Sequence, residues 1–157
     1  MAKRNVIKVG ETLLRKKCKP VKDFDEDLWE LLDDMKETMH ANDGMGLAGP
    51  QVGVLRRLAI VEVNNMFLEL INPQIIHSEG DWVEEEGCLS VGNFRGRVSR
   101  PYKITVTSCD RMGEPFTLQC EGWLARCICH ELDHLDGVLF IDKTLDKEKY
   151  LKNGGKI

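Results

Sequence analysis

The stretch that decides the reading is Cys129-His130-Glu131-Leu132-Asp133-His134, set inside Gly122–Gly137. It has the form H-E-x-x-H. On an α-helix His130 and His134 are one turn apart, roughly 6 Å along the axis, so both imidazoles leave the same face. Two neutral ring nitrogens in that arrangement can grip one divalent cation. Glu131 leaves the helix about 100° round from His130, beside a bound ion rather than on it. A carboxylate there can take a proton from water and return it to a leaving group. Trp123, Leu124, Ile128, Leu132 and Leu135 are apolar, which makes this a buried helix. Buried histidines and a buried glutamate need compensation, and a metal supplies it. The competing reading is a helix with two hydrogen-bonded core histidines. Only a third ligand, an oxyanion donor and a groove for substrate decide between the two.

The totals narrow the class. The 157 residues suit one domain, 1–157, with a tail from about 146 that reads as frayed. Twenty-two Lys and Arg face 26 Asp and Glu, a formal net charge of −4, and no basic stripe stands out, so direct nucleic-acid binding is not expected. Arg15–Lys22 is locally basic but is followed at once by acidic residues. Met1–Asn5 is polar with no apolar segment after it, and no run approaches membrane-spanning length. The expectation is a cytoplasmic protein without signal or transmembrane segment. Six cysteines then read as thiols, not as a disulfide framework.

Taken in order, Glu11–Lys17 suggests a short helix broken by Cys18-Lys19-Pro20. Asp23–Ala41 is a strong helix: Asp25 can cap it, and Leu28, Leu31, Leu32, Met35 and Met39 recur at helical spacing. Trp29 and His40 read as packing and surface. Gly44-Met45-Gly46-Leu47-Ala48-Gly49-Pro50-Gln51-Val52-Gly53 reads as a tight turn or loop. It is no phosphate loop, because no lysine follows the glycines and no strand precedes them. Two readings of it stay open: backbone approaching an extended ligand with Gln51 aimed into the site, or a turn with a surface glutamine.

Arg57–Val63 and Leu68–Asn72 are strands joined by an Asn64-Asn65 turn, Pro73 stops the pairing, and Ile75–Ser78 continues the sheet. His77 reads as structural. In Trp82–Ser90, Glu84 and Glu85 read as a surface charge run. Cys88, between Gly87 and Leu89, is a nucleophile candidate or a metal ligand. Arg95, Arg97 and Arg100 form a cationic edge, either paired with Glu84–Glu86 or anchoring a peptide carbonyl or carboxylate. Tyr102–Cys109 and Phe116–Cys120 make a hairpin about Asp110–Glu114. Gly122 opens the motif helix, Gly137 ends it, and Val138–Ile141 reads as a short strand.

Cys127 and Cys88 compete for the third ligand position. Cys127 and His134 are about 10 Å apart along one helix axis. Donors about 2.0–2.3 Å from one ion lie within about 4 Å of each other. Cys127 therefore floors the pocket and Cys88, on a separate segment, is the natural third ligand. One thiolate and two imidazoles leave a fourth position for water. Asp133 can orient a ligand from behind. Cys18 reads as inert, and Cys109, Cys120 and Cys129 as packing residues.

Three motifs in this order, Gly44-Met45-Gly46-Leu47-Ala48-Gly49-Pro50-Gln51, Glu86-Gly87-Cys88-Leu89-Ser90 and His130-Glu131-Leu132-Asp133-His134, resemble the peptide deformylase family at every fixed position. The resemblance extends over nearly the whole chain. It implies an α+β fold with antiparallel β-sheets packed around a central H-E-x-x-H helix. It implies removal of formate from N-formylmethionine on nascent polypeptides, near the ribosome, by a monomer or weak dimer. It implies Cys88, His130 and His134 as ligands of one divalent metal ion, Fe²⁺, with Zn²⁺, Ni²⁺ or Co²⁺ found in preparations; ligand type alone points to zinc. Metal-bound water would attack the formyl carbon, with Glu131 as general base and acid. Gln51 and the Leu89 N–H would meet the oxyanion. Substrate would lie extended beside Met45, Gly46, Glu86 and Gly87, with Arg95 as an anchor and Cys127 in the methionine pocket. The chain departs from the family at Trp123, Arg126 and Cys129, which bear on pocket shape.

Overall fold

The computed structural model describes residues 2–157. Its framework is one helix, α1 (Glu26–Ala41), then strands β1 (Gly46–Ala48), β2 (Leu58–Val63), β3 (Met66–Glu79), β4 (Trp82–Glu86), β5 (Gly96–Arg100), β6 (Lys103–Cys109) and β7 (Pro115–Glu121), and finally α2 (Gly122–Leu135), α3 (Phe140–Lys143) and α4 (Lys147–Lys152). Five strands form an antiparallel sheet in the order β1-β2-β3-β6-β7, and β4 and β5 pair as a separate ribbon. The fold is α+β, with antiparallel sheets against the H-E-x-x-H helix.

The near-continuous apolar run of β2 has a physical cause. Side chains of a strand alternate between faces. Leu58 and Ile60 join the core that α1 covers with Leu28, Leu32, Met35 and Met39. Val61 and Val63 face the other way and join Ala125, Ile128 and Leu132 of α2. The strand is thus buried on both sides. Asp25 caps α1 through its side chain, accepting from the Leu28 N–H at 3.1 Å.

Several expectations change. Pro73 does not divide two strands: β3 runs through it with a register shift between Ile71 and Gln74. Proline lacks the ladder donor, so the irregularity sits at its position. Asn72 adopts φ +53° there, and its side chain bonds Val21 N and O at 2.7 and 2.9 Å. Asn64 and Asn65 both take positive φ, as a tight β2–β3 turn requires. Gly46–Ala48, read as loop, is an edge strand against β2. Glu11–Lys17 shrinks to a 3₁₀ turn at Thr12–Arg15.

Glu84 and Glu85, read as surface charge, lie with Glu86 in β4, which pairs with β5 and its Arg97 and Arg100. Their alternation was hidden because charged residues, Glu86 and Arg100, take inward positions. Val138–Ile141 is no strand: Phe140 begins α3, and the Leu139 N–H donates to Asp142 Oδ2 at 2.9 Å. Within the tail, Lys147–Lys152 forms α4, whose Tyr150 is buried in a cluster with Phe94 and Phe140. No helix among the described residues is long and apolar enough to cross a membrane.

Candidate metal centre

Helix α2 is held at both ends by glycines. Gly122 opens it at φ +67°, its N–H donating to Tyr102 O at 2.9 Å. Gly137 lies past its end at φ +76°, its N–H donating to His134 O at 3.1 Å. A Cβ on Gly137 would collide with the backbone carbonyl of Arg15. His130 and His134 face one way, with ring centroids 5.2 Å apart. Cys88 arrives on the segment leaving β4, and its Sγ lies 3.4 Å from His134 Nε2. One donor atom from each of Cys88, His130 and His134 lies within 4.8 Å of the others. That is close to the spacing donors have around a shared ion, about 4 Å.

Other features fit a bound cation. His130 Nδ1 bonds Glu86 Oε1 at 2.9 Å, which turns its Nε2 outward. Glu131 Oε1 and His134 Nδ1 are buried without a hydrogen-bond partner among the described residues. Buried atoms of this kind ask for a ligand, ion or water. Thiolate and imidazole are the donors that intermediate divalent metals take.

The charges of the site are strongly coupled. Burial opposes ionisation of Glu86, but hydrogen bonds from Arg100 and His130 prevail and hold its carboxyl well below the usual range. Burial disfavours a charged His130, yet Cys88 and Glu86 raise its pKa well above the ordinary value. His134 is driven well below it, by burial and then by the positive charges of His130, Arg100 and Arg15. Glu131 is pushed up to about 7, chiefly by burial, with His130 opposing and Glu86 adding.

Gln51 is buried, not on the surface. Its Oε1 accepts from Ala48 N at 3.0 Å, and its Nε2 lies 3.1 Å from Ser90 Oγ and 3.6 Å from Cys88 Sγ. A groove of about 510 Å³ opens over the three motifs. Met45, Gly46 and Gln51 line it from the first motif, Glu86 to Leu89 from the second, and Cys127, His130 and Glu131 from α2. A Cβ on Gly46 would collide with the Glu131 carboxylate and come within 3.0 Å of Cys127 Sγ. Cys127 is outside the donor cluster, and its thiol donates to Met45 O at 3.3 Å. Arg95 lies over Gly87, mostly exposed and 3.9 Å from Glu85.

Among the described residues the Asp133 carboxylate makes no hydrogen bond to Cys88, His130 or His134. It accepts from Arg100 Nη1 at 2.6 Å and pairs with Lys143 at 3.0 Å, so it reaches His130 only through Arg100 and Glu86. Arg97 leaves the site and pairs with Asp146. Glu86 is the hub that sequence reasoning missed: its side chain accepts from Arg100, Arg126 and His130. Arg126 was legible in principle, because i−4 from His130 puts it on the motif's own face.

Residues 3–150 match the family model described as polypeptide deformylase. The peptide deformylase of Caldicellulosiruptor bescii is 51% identical over 145 residues, covering 92% of this chain and 87% of the relative. The crystal structure of peptide deformylase from Thermotoga maritima superposes with a TM-score of 0.89 at 40% identity, covering 90% of this chain and 97% of that one. A peptide deformylase from Synechococcus elongatus, solved in complex with actinonin, gives 0.91 at 37% identity, covering 96% and 88%.

Proposed function

This chain belongs to the polypeptide deformylase family, and from that premise we propose that it hydrolyses the formamide of N-formylmethionine on nascent polypeptides, releasing formate. The observation that carries the reading is the convergence of Cys88, His130 and His134 on one point, with Glu131 and Gln51 lining the same groove.

The family is metal-dependent. Cys88, His130 and His134 would hold the cation, which supplies Lewis acidity toward the formyl carbonyl and toward water. Glu131 takes a proton from the attacking water and passes it to the departing amine. It lines the groove beside the cation site, within reach of both proton transfers. The Gln51 amide and the Leu89 N–H donate to the developing oxyanion. The Gln51 carbonyl is tethered to Ala48 N, so its NH₂ is oriented in advance. The substrate backbone pairs with the Met45–Gly46 edge and with Glu86–Gly87, while Arg95 anchors its far end. Cys127 lines the pocket for the methionine side chain. We assign Fe²⁺ as the cellular metal, with processing beside the ribosome in the cytoplasm.

The test is an assay of formyl-Met-Ala-Ser alongside metal analysis of anaerobically purified protein. Formate appears and the peptide stays whole; internal cleavage without formate would replace this reading with a peptidase. Glu131→Ala retains metal but turns over at least 10²-fold more slowly, as loss of a proton-transfer group predicts. Near-wild-type formate release by that variant would remove Glu131 from the role.

A further inference from the structure

Arg126 precedes His130 by one turn of α2 and is 2% exposed. Its Nη1 donates to Glu86 Oε2 at 2.6 Å and to Val98 O at 3.0 Å, and its Nη2 donates to Trp82 O. The Trp82 and Trp123 rings lie 4.9 and 5.9 Å from its Cζ, so the head group is fixed in place. Its Nε finds no hydrogen-bond partner among the described residues.

The other side of Glu86 matters as much. Arg100 already holds this carboxylate through two bonds at 2.9 Å. Glu86 Oε1 also bonds His130 Nδ1, the ring whose other nitrogen faces Cys88 and His134. One carboxylate therefore serves two guanidinium groups and one imidazole. Arg100 has a second acid, Asp133. Arg126 pairs with the acid it shares, so its charge offsets negative charge that Glu86 would otherwise present to His130 and the cation site. A carboxylate drained by a second cation is also a weaker acceptor for the His130 N–H, and that ring becomes a poorer donor to a metal.

We propose that Arg126 is a positioning residue that acts on the bound cation through Glu86 and His130, weakening the hold on the metal in return for a more electrophilic centre. The inference rests on the cation-site part of the proposed function.

The experiment titrates the metal-free protein with Co²⁺ against a competing chelator, for wild type, R126Q and R126K. R126Q keeps a donor toward Glu86 without the charge; R126K keeps the charge. R126Q binds Co²⁺ about tenfold more tightly, the direction Coulomb repulsion dictates in a partly screened interior, and R126K stays within about twofold of wild type. In the Zn²⁺-loaded proteins the His130 ring ¹⁵N resonances shift in R126Q and return in R126K. A clamp that merely kept Glu86 in place would weaken binding in R126Q, and that result, or an unchanged constant, overturns the inference. If R126Q does not fold, as its urea melt would reveal, R126K decides: binding weakened well beyond twofold overturns the inference, and unchanged binding with unshifted resonances supports it. Absence of stoichiometric Co²⁺ binding by wild type would instead defeat the cation site itself.

Discussion

Two buried glutamates in this site are driven in opposite directions, and each makes a separate prediction. Glu86 receives four hydrogen bonds from Arg100, Arg126 and His130, and its proton affinity falls. Its ionised form stabilises the fold above the ordinary carboxyl pKa, and that contribution is lost as pH falls through the depressed value. Glu86→Gln leaves buried Arg126 without its counter-ion and Arg100 with Asp133 alone, and should cost about 3–5 kcal/mol at neutral pH. Urea midpoints at pH 7 measure this, and a loss under about 1 kcal/mol would show the network to be dispensable. Glu131 has one oxygen without a partner among the described residues, and its pKa rises from 4.5 to about 7. A raised folded value means that stability present below the unfolded pKa is lost as pH climbs to about 7. In chelator-treated protein, Glu131→Gln should match wild type on the acid side and exceed it by about 1–3 kcal/mol at pH 8. Parallel curves for the two proteins would contradict this origin of the shift.

At the scale of elements, the position of α2 depends on how it stops. Gly137 combines positive φ with a close approach to Arg15. An alanine there is strained by its backbone and blocked by its Cβ, so Gly137→Ala should destabilise by about 2 kcal/mol or more. The measurement is a thermal melt, and a variant as stable as wild type would mean that the Arg15 segment yields freely. The ribbon β4–β5 bears the other half of the site, because Glu86 ends one strand and Arg100 ends its partner. Their inward charges explain why charge pattern alone pointed to surface. Burial of a charged residue is recognisable only once its counter-charge is known to face it.

On the scale of the whole molecule, the proposed cation would join two segments that are distant in the chain, the Cys88 loop and α2. Binding to the folded form alone stabilises by about 2.7 kcal/mol at a hundred times the dissociation constant. For a chain of this length that amounts to roughly 5–10 °C in Tm. Chelation should lower Tm by that amount, and Cys88→Ser should shrink the metal-dependent difference. Equal shifts in both proteins would move the third ligand elsewhere.

The sequence by itself determined the elements whose chemistry is local. His130 and His134 share a face because helical pitch requires it, the Asn64-Asn65 turn follows from tolerance of positive φ, and α1 follows from its leucine spacing and the Asp25 cap. The motif order was enough to expect Cys88 beside the two rings. Only the tertiary structure decided what depends on partners remote in the chain. It joined Glu86, Arg100 and Arg126, read separately as groove lining, cationic edge and pocket shape, into one buried network, and it buried Gln51 beside Cys88. It carried β3 through Pro73 and seated Tyr150 on Phe94 and Phe140. The reason is common to all of these: an ion pair, a bulge or an aromatic contact gains its energy from a neighbour that local pattern does not reveal, whereas pitch, capping and φ preference belong to the residue itself.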